Sequence, residues 1–445
     1  MASYCEQLRQ QGNECFGRSK QEGLAPTAKK SALTSAVKYY NQAKARAHPG
    51  EVNEICSCLK NIAVASISHA QLILGSPQTF PKEREMFFYL SRDAVHSSFE
   101  AISKGKFVKS EEWIMHMKQF LGDFLESAVI CFNDMQMQDR TECFHRICSQ
   151  FDHIAAIPFR SVGSCYENLA RNLFNNGVQE VEEDFRKCLH QMHECYPPLQ
   201  LAKAWCREPD FLEALNELKD RVVQQQFICE SCQAREVADE LLKVATHDYE
   251  ELNVEGLWHC IDKYTESAVL TRELDVEGEA IAYTSIGHVY LNVLRMEVAA
   301  KVAFDKAFVL AESLFPRNLS TLEWYKRLSA GKLYFQEKAA REEKARKEAG
   351  REHILAELQP ELNAIKAAST TAYDLLRYIY AKHPPKNPSE TLGSLESNRI
   401  KRTLLEALRH YHPDKNGQKG SDQWKVLCEE ITKFLTDKYE VLKSC

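Results

Sequence analysis

Apolar residues recur at spacings of three and four along nearly the whole chain, the period of an amphipathic helix. Over residues 29–48 the repeating positions are Ala32, Ala36, Tyr39, Tyr40, Ala43 and Ala47, and Pro49-Gly50 ends the run. Further helices are predicted over 55–74, stopping before Gly75-Ser76-Pro77, and from near Glu83 to near Gly105. Another begins near Ser110, where Ser-Glu-Glu reads as a cap with acids in the first turn. Helices of ~15–20 residues joined by short breaks predict antiparallel helical hairpins. A pattern also repeats: Cys260, Tyr264 and Ser267 recur 40 residues on as Ala300, Phe304 and Ala307. Steps of four and three put small, aromatic and small side chains on one helix face, where a neighbouring helix can approach closely.

The pattern changes twice more. Residues 336–352 carry no apolar stripe but many opposite charges three and four apart, which predicts a solvated linker helix held by weak ion pairs. Beyond it, residues 372–381 form a short helix stopped by Pro384-Pro385. Ile400, Leu404, Ala407, Leu408 and Tyr411 make one face of a second helix. Trp424, Leu427, Cys428, Ile431, Leu435, Tyr439 and Leu442 make one face of a third. Between the last two lies His412-Pro413-Asp414-Lys415-Asn416-Gly417.

Composition narrows the class. With 17 Gly and 14 Pro in 445 residues, the chain is too poor in turn residues for a sandwich or barrel. The expectation is an all-α fold, a solenoid of helical hairpins followed by a charged linker and a small helical domain. Net charge is −6, from 57 Lys+Arg and 63 Asp+Glu, so no global basic field attracts nucleic acid. No apolar run is long enough for a membrane span, and the first residues hold no secretory h-region. The 16 Cys are therefore expected to be reduced thiols in a cytoplasmic protein, the nucleus being open as well.

Tyr283, Ile286, Gly287 and Tyr290 follow the tetratricopeptide order of aromatic, apolar, Gly and Tyr, and residues 283–310 resemble one full unit of that family. Arg9-Gln-Gln-Gly12-Asn13 with Ala36, Tyr40 and Ala43 resembles a chaperone-binding subtype. The division expected is tetratricopeptide-like repeats over 1–128, an unassigned helical region over 129–235, further repeats over 236–335, the linker over 336–368 and the small domain over 369–445. In the subtype that clamps acidic C-terminal tails, Arg9, Asn13 and Asn61 stand at clamp positions. In the fifth helix Met115 and Gln119 replace the basic residues, with Lys118 adjacent, so ordinary surface roles are the favoured reading.

Residues 369–445 resemble a J-domain, the module of the DnaJ co-chaperones, on Tyr-His-Pro-Asp-Lys-Asn between two amphipathic helices with a short helix ahead. The resemblance implies that His412, Pro413 and Asp414 dock on a DnaK-type chaperone and trigger its ATP hydrolysis, with Arg399, Lys401, Arg402, Arg409 and Lys415 as the basic docking residues. It implies no catalysis by this chain and no cofactor, and leaves client or scaffold binding to the repeats. Departures are the long loop over 384–398, Leu405 and Glu406 where the family is often basic, and little room before Cys445 for a fourth helix. The alternative expectation is an interaction scaffold with an inactive J-like domain. For metal or redox chemistry the candidates are Cys229 and Cys232, with His259 and Cys260 as the nearest further ligands. Cys56 and Cys58 complete no second CxxC, and Cys188, His190, His193 and Cys195 read as ordinary helix positions.

Overall fold

A computed structural model describes residues 4–76, 80–180, 184–247, 253–416 and 421–444; Pro77, Gly417 and Cys445, named above, lie outside them. Among the described residues there is no strand, and no helix is long and apolar enough to cross a membrane. The chain divides into two compact units, Met1–Leu328 and Ser329–Cys445.

The first unit opens with α1 (Tyr4–Ser19), α2 (Pro26–Arg46), α3 (Val52–Leu74), α4 (Phe80–Gly105) and α5 (Glu111–Asn133). Ser110 caps α5 by accepting from the Trp113 amide at 3.2 Å. Next come α6 (Met137–Cys148), α7 (Arg160–Glu180), α8 (Phe185–Trp205) and α9 (Pro209–Ala245), across the region that sequence left unassigned. Pro197 and Pro198 lie inside α8, so these two prolines do not mark a helix end. The unit closes with α10 (Val254–Thr271), α11 (Val276–His288), a π-helical turn over Val289–Val293, and α12 (Glu297–Ser313). Consecutive helices pack on one another: α1 on α2, α3 on α4, α7 on α8, α9 on α10, α11 on α12.

The repeated pattern is buried as expected: Cys260, Tyr264, Ser267, Ala300, Phe304 and Ala307 are all inside. Gly287 and Gly12 are glycine for a steric reason. A Cβ on Gly287 would stand 2.8 Å from the Phe304 ring, and one on Gly12 2.5 Å from the Tyr40 ring.

The unit boundary falls within α13 (Glu323–Ala368), whose residues 341–352 are all exposed, Arg351 among them pairing with Glu429 at 2.7 Å. The second unit continues with α14 (Ala372–Lys382), α15 (Ile400–His410), the single turn α16 (Pro413–Asn416) and α17 (Asp422–Ser444). Leu375, Leu376, Ile379, Leu404, Ala407, Tyr411, Leu427, Cys428, Ile431 and Leu435 share one core. Ile365, at the end of α13, belongs to the same core and lies before the predicted boundary at 369.

Candidate functional site

The junction of α15 and α16 is fixed through Tyr411, whose side chain is fully buried. Its hydroxyl donates to the His383 carbonyl oxygen at 2.6 Å, tying it to the end of α14. Its own carbonyl accepts from the Thr432 hydroxyl at 3.0 Å, tying it to α17. Burial holds the Tyr411 phenol far above its usual range, so it stays a donor. Burial likewise pushes the neighbouring Cys428 thiol up to about 12. Next door, the Tyr380 hydroxyl and His410 Nδ1 are 2.5 Å apart.

The residue after this anchor is therefore presented, not buried. The His412 side chain is 53% exposed and that of Asp414 90%. Pro413 opens α16, where its missing N–H and fixed φ suit a first helical position. The Asp414 amide donates to His412 Nδ1 at 3.2 Å, and the Lys415 amide to the His412 carbonyl at 3.0 Å. With Nδ1 accepting, the neutral ring carries its proton on Nε2. The Asp414 carboxylate lies 3.6 Å from the same Nδ1.

Along α15, Lys401, Arg402, Leu405 and Arg409 are exposed. At about 100° per residue they fall within an arc of about 100°, a stripe that leads to the turn. Arg399, just before α15, and Lys415, just after Asp414, are exposed as well. Glu406 turns back on Arg402 at 3.2 Å. The long loop before α15 is tied down: Thr403 donates to the Ser394 carbonyl at 2.7 Å, and Leu392 and Leu395 pack on the core. The loop therefore adds to the core while leaving the basic stripe open.

In the first hairpins, Asn13 and Asn61 are brought together. Asn13 Oδ1 accepts from the Tyr40 hydroxyl at 2.9 Å and from Asn61 Nδ2 at 3.3 Å. Arg9 is instead held by Glu54, with Nε and Oε2 3.1 Å apart. Of the fifth-helix positions, Met115 is exposed and Gln119 donates to Asp123 at 2.7 Å. Sequence reasoning passed over Lys60 and Lys109. Burial lowers the Lys60 pKa, and the charges of Lys109 and Arg9 lower it further, which marks a local cluster of positive charge. Lys109 sits between α4 and α5, so only the fold brings it there.

The cysteine candidates separate. Cys229 hydrogen-bonds with Cys188 of α8, whereas the Arg235 guanidinium donates to Cys232 at 3.1 Å. His259, His190 and His193 are exposed, and Cys260 and Cys195 are core residues. Among the described residues, the three groups that converge are Cys5, Glu54 and Cys58, which no sequence spacing singled out.

No family model matches the chain, and no curated protein does. Among solved structures it is similar to a "circular tandem repeat protein with novel repeat topology and enhanced subunit contact surfaces". The match is 12% identical over 99% of this chain and 96% of that one, with a TM-score of 0.20.

Proposed function

We propose that the protein is a co-chaperone whose second unit acts as a J-domain, recruiting a DnaK-type ATPase and stimulating its hydrolysis of ATP. One observation carries this reading: His412-Pro413-Asp414 stands exposed on a junction anchored by Tyr411, at the end of a basic stripe on α15. An exposed carboxylate beside a donor imidazole suits recognition of an arginine-bearing surface, and the stripe suits steering toward an acidic one. The reading gives this chain no bond-making step, since the partner hydrolyses the nucleotide. It calls for no cofactor, nucleic acid or membrane, and it belongs in the cytoplasm or nucleus.

The helical hairpins are then the client- or partner-binding part. For an acidic peptide tail, Asn13 and Asn61 with Lys60 and Lys109 are the groups at hand, and Arg9 contributes least because Glu54 holds it. The competing reading is an interaction scaffold whose J-like domain no longer activates, and the Arg402–Glu406 pair favours it by diverting one stripe cation.

One assay separates them: single-turnover ATP hydrolysis by a purified DnaK-type chaperone with the full chain. Stimulation by the wild type that disappears with His412→Gln is the expected result. Equal stimulation by the His412→Gln protein overturns the reading, and wild-type binding without stimulation leaves the scaffold.

A further inference from the structure

We infer that Cys5, Glu54 and Cys58 form a binding site for one thiophilic divalent cation, of which zinc is the natural occupant. Glu54 and Cys58 are four residues apart on α3, so both face the same way, and Cys5 comes from α1. Their ligand atoms all lie within 4.8 Å of one another. Two sulfurs on a tetrahedral zinc stand about 3.8 Å apart, given bonds of about 2.3 Å, so a shift of about 1 Å closes the set.

The chemistry of the three donors agrees. Cys58 hydrogen-bonds with Cys5, whose thiol donates in turn to the Ala43 carbonyl at 3.3 Å, so the two sulfurs already lie side by side. The two thiols are buried, while the Glu54 side chain is 34% exposed and forms the entrance. Two thiolates and a carboxylate around a divalent cation leave one negative charge. The Arg9 guanidinium, already on Glu54, supplies the balancing positive charge and orients the carboxylate. A carboxylate has lone pairs enough to accept from Arg9 and bind metal together. Three protein ligands leave a fourth position for water. A second thiol pair, Cys188 and Cys229, has no carboxylate joining it among the described residues. Binding releases the two thiol protons to solvent, and no redox step is involved.

The test is a zinc titration of the full-length, chelator-stripped protein against a chromophoric zinc indicator, with cobalt as a spectroscopic substitute. One equivalent of zinc, about two protons released, and a thiolate-to-cobalt charge-transfer band are expected. The Cys5→Ser/Cys58→Ser double variant should lose all three while keeping its helical circular dichroism. Glu54→Gln, at the exposed edge, should weaken zinc without harming the fold, and Arg9→Ala should weaken it about 10–100-fold. No uptake by the wild type overturns the site. So does uptake unchanged in the double variant, which would put the metal on other cysteines. The outcome is independent of the ATPase assay.

Discussion

Replacing Tyr411 by Phe removes one hydroxyl and leaves the ring. The hydroxyl lies 2.6 Å from the His383 carbonyl oxygen, with Tyr411 fully buried. Loss of a buried donor in such a pair costs about 1–3 kcal/mol, because the acceptor loses its partner without regaining water. The ring contacts with Tyr380 and Trp424 remain, so no cavity term is added. The bond joins the end of α14 to the end of α15, so the cost falls on the second unit. Native-state hydrogen exchange reads this locally. Amides of α14, α15 and α17 should exchange about 5–150-fold faster, the equivalent of 1–3 kcal/mol. Amides of α10 to α12, in the first unit, should not change. Unchanged exchange in the second unit would show that Tyr411 does not anchor the junction, and with it would go the reason His412 is held in one presentation.

Gly287→Ala drives a methyl to 2.8 Å from the Phe304 ring, an overpacking cost of about 1–3 kcal/mol only partly offset by better helix propensity. Gly17→Ala meets nothing within 4 Å, so its melting temperature should hold or rise while that of Gly287→Ala falls. Burial pushes the Tyr40 phenol from 10.0 up to about 12. The protonated form is thus the one favoured by folding, and its contribution is complete below about pH 10 and lost as pH rises towards about 12. Urea unfolding across that window should show a shallower loss for Tyr40→Phe than for wild type, and equal slopes would refute the assignment. Lys401→Glu with Arg409→Glu should weaken association with a DnaK-type chaperone most at low salt, the gap narrowing towards ~0.15 M ionic strength. A 369–445 fragment, which lacks Leu358, Leu362 and Ile365, should be less stable to urea than 329–445 by at least about 1.5–3 kcal/mol, the worth of burying Ile365 alone.

What could be read from sequence was what repeats at short range. The stripes of α15 and α17 and the small-aromatic-small faces of α10 and α12 are local periodicities; the faces of α10 and α12 are buried, and every named residue of the two stripes is in the core or packs against it. The region 129–235 gave no assignable pattern because its core is assembled across distance. Trp205 packs edge-on against Phe99 and Phe151, partners 106 and 54 positions away, and no window holds all three. The same limit hid the Cys5–Glu54–Cys58 group. Cys58 sits beside Cys56 in sequence, but on a helix neighbours two apart diverge, and the ligand it meets comes from α1.

The candidate site shows both sides of that limit. His412, Pro413 and Asp414 were legible because a turn between two amphipathic stripes is itself a local signal. What presents them was not. Tyr411 was placed on the apolar face of α15, yet its hydroxyl bond to His383 and its carbonyl bond to Thr432 join positions 28 and 21 residues away. The start of the domain was hidden for a related reason. Ile365, with Leu358 and Leu362 half-buried beside it, faces the core from a helix whose turns over 341–352 are exposed and rich in charge. Averaged along the chain, α13 reads as linker to its end. Only the packing shows that its last turns belong to the unit that carries the turn, and this makes the end of α13 a structural part of that unit's core.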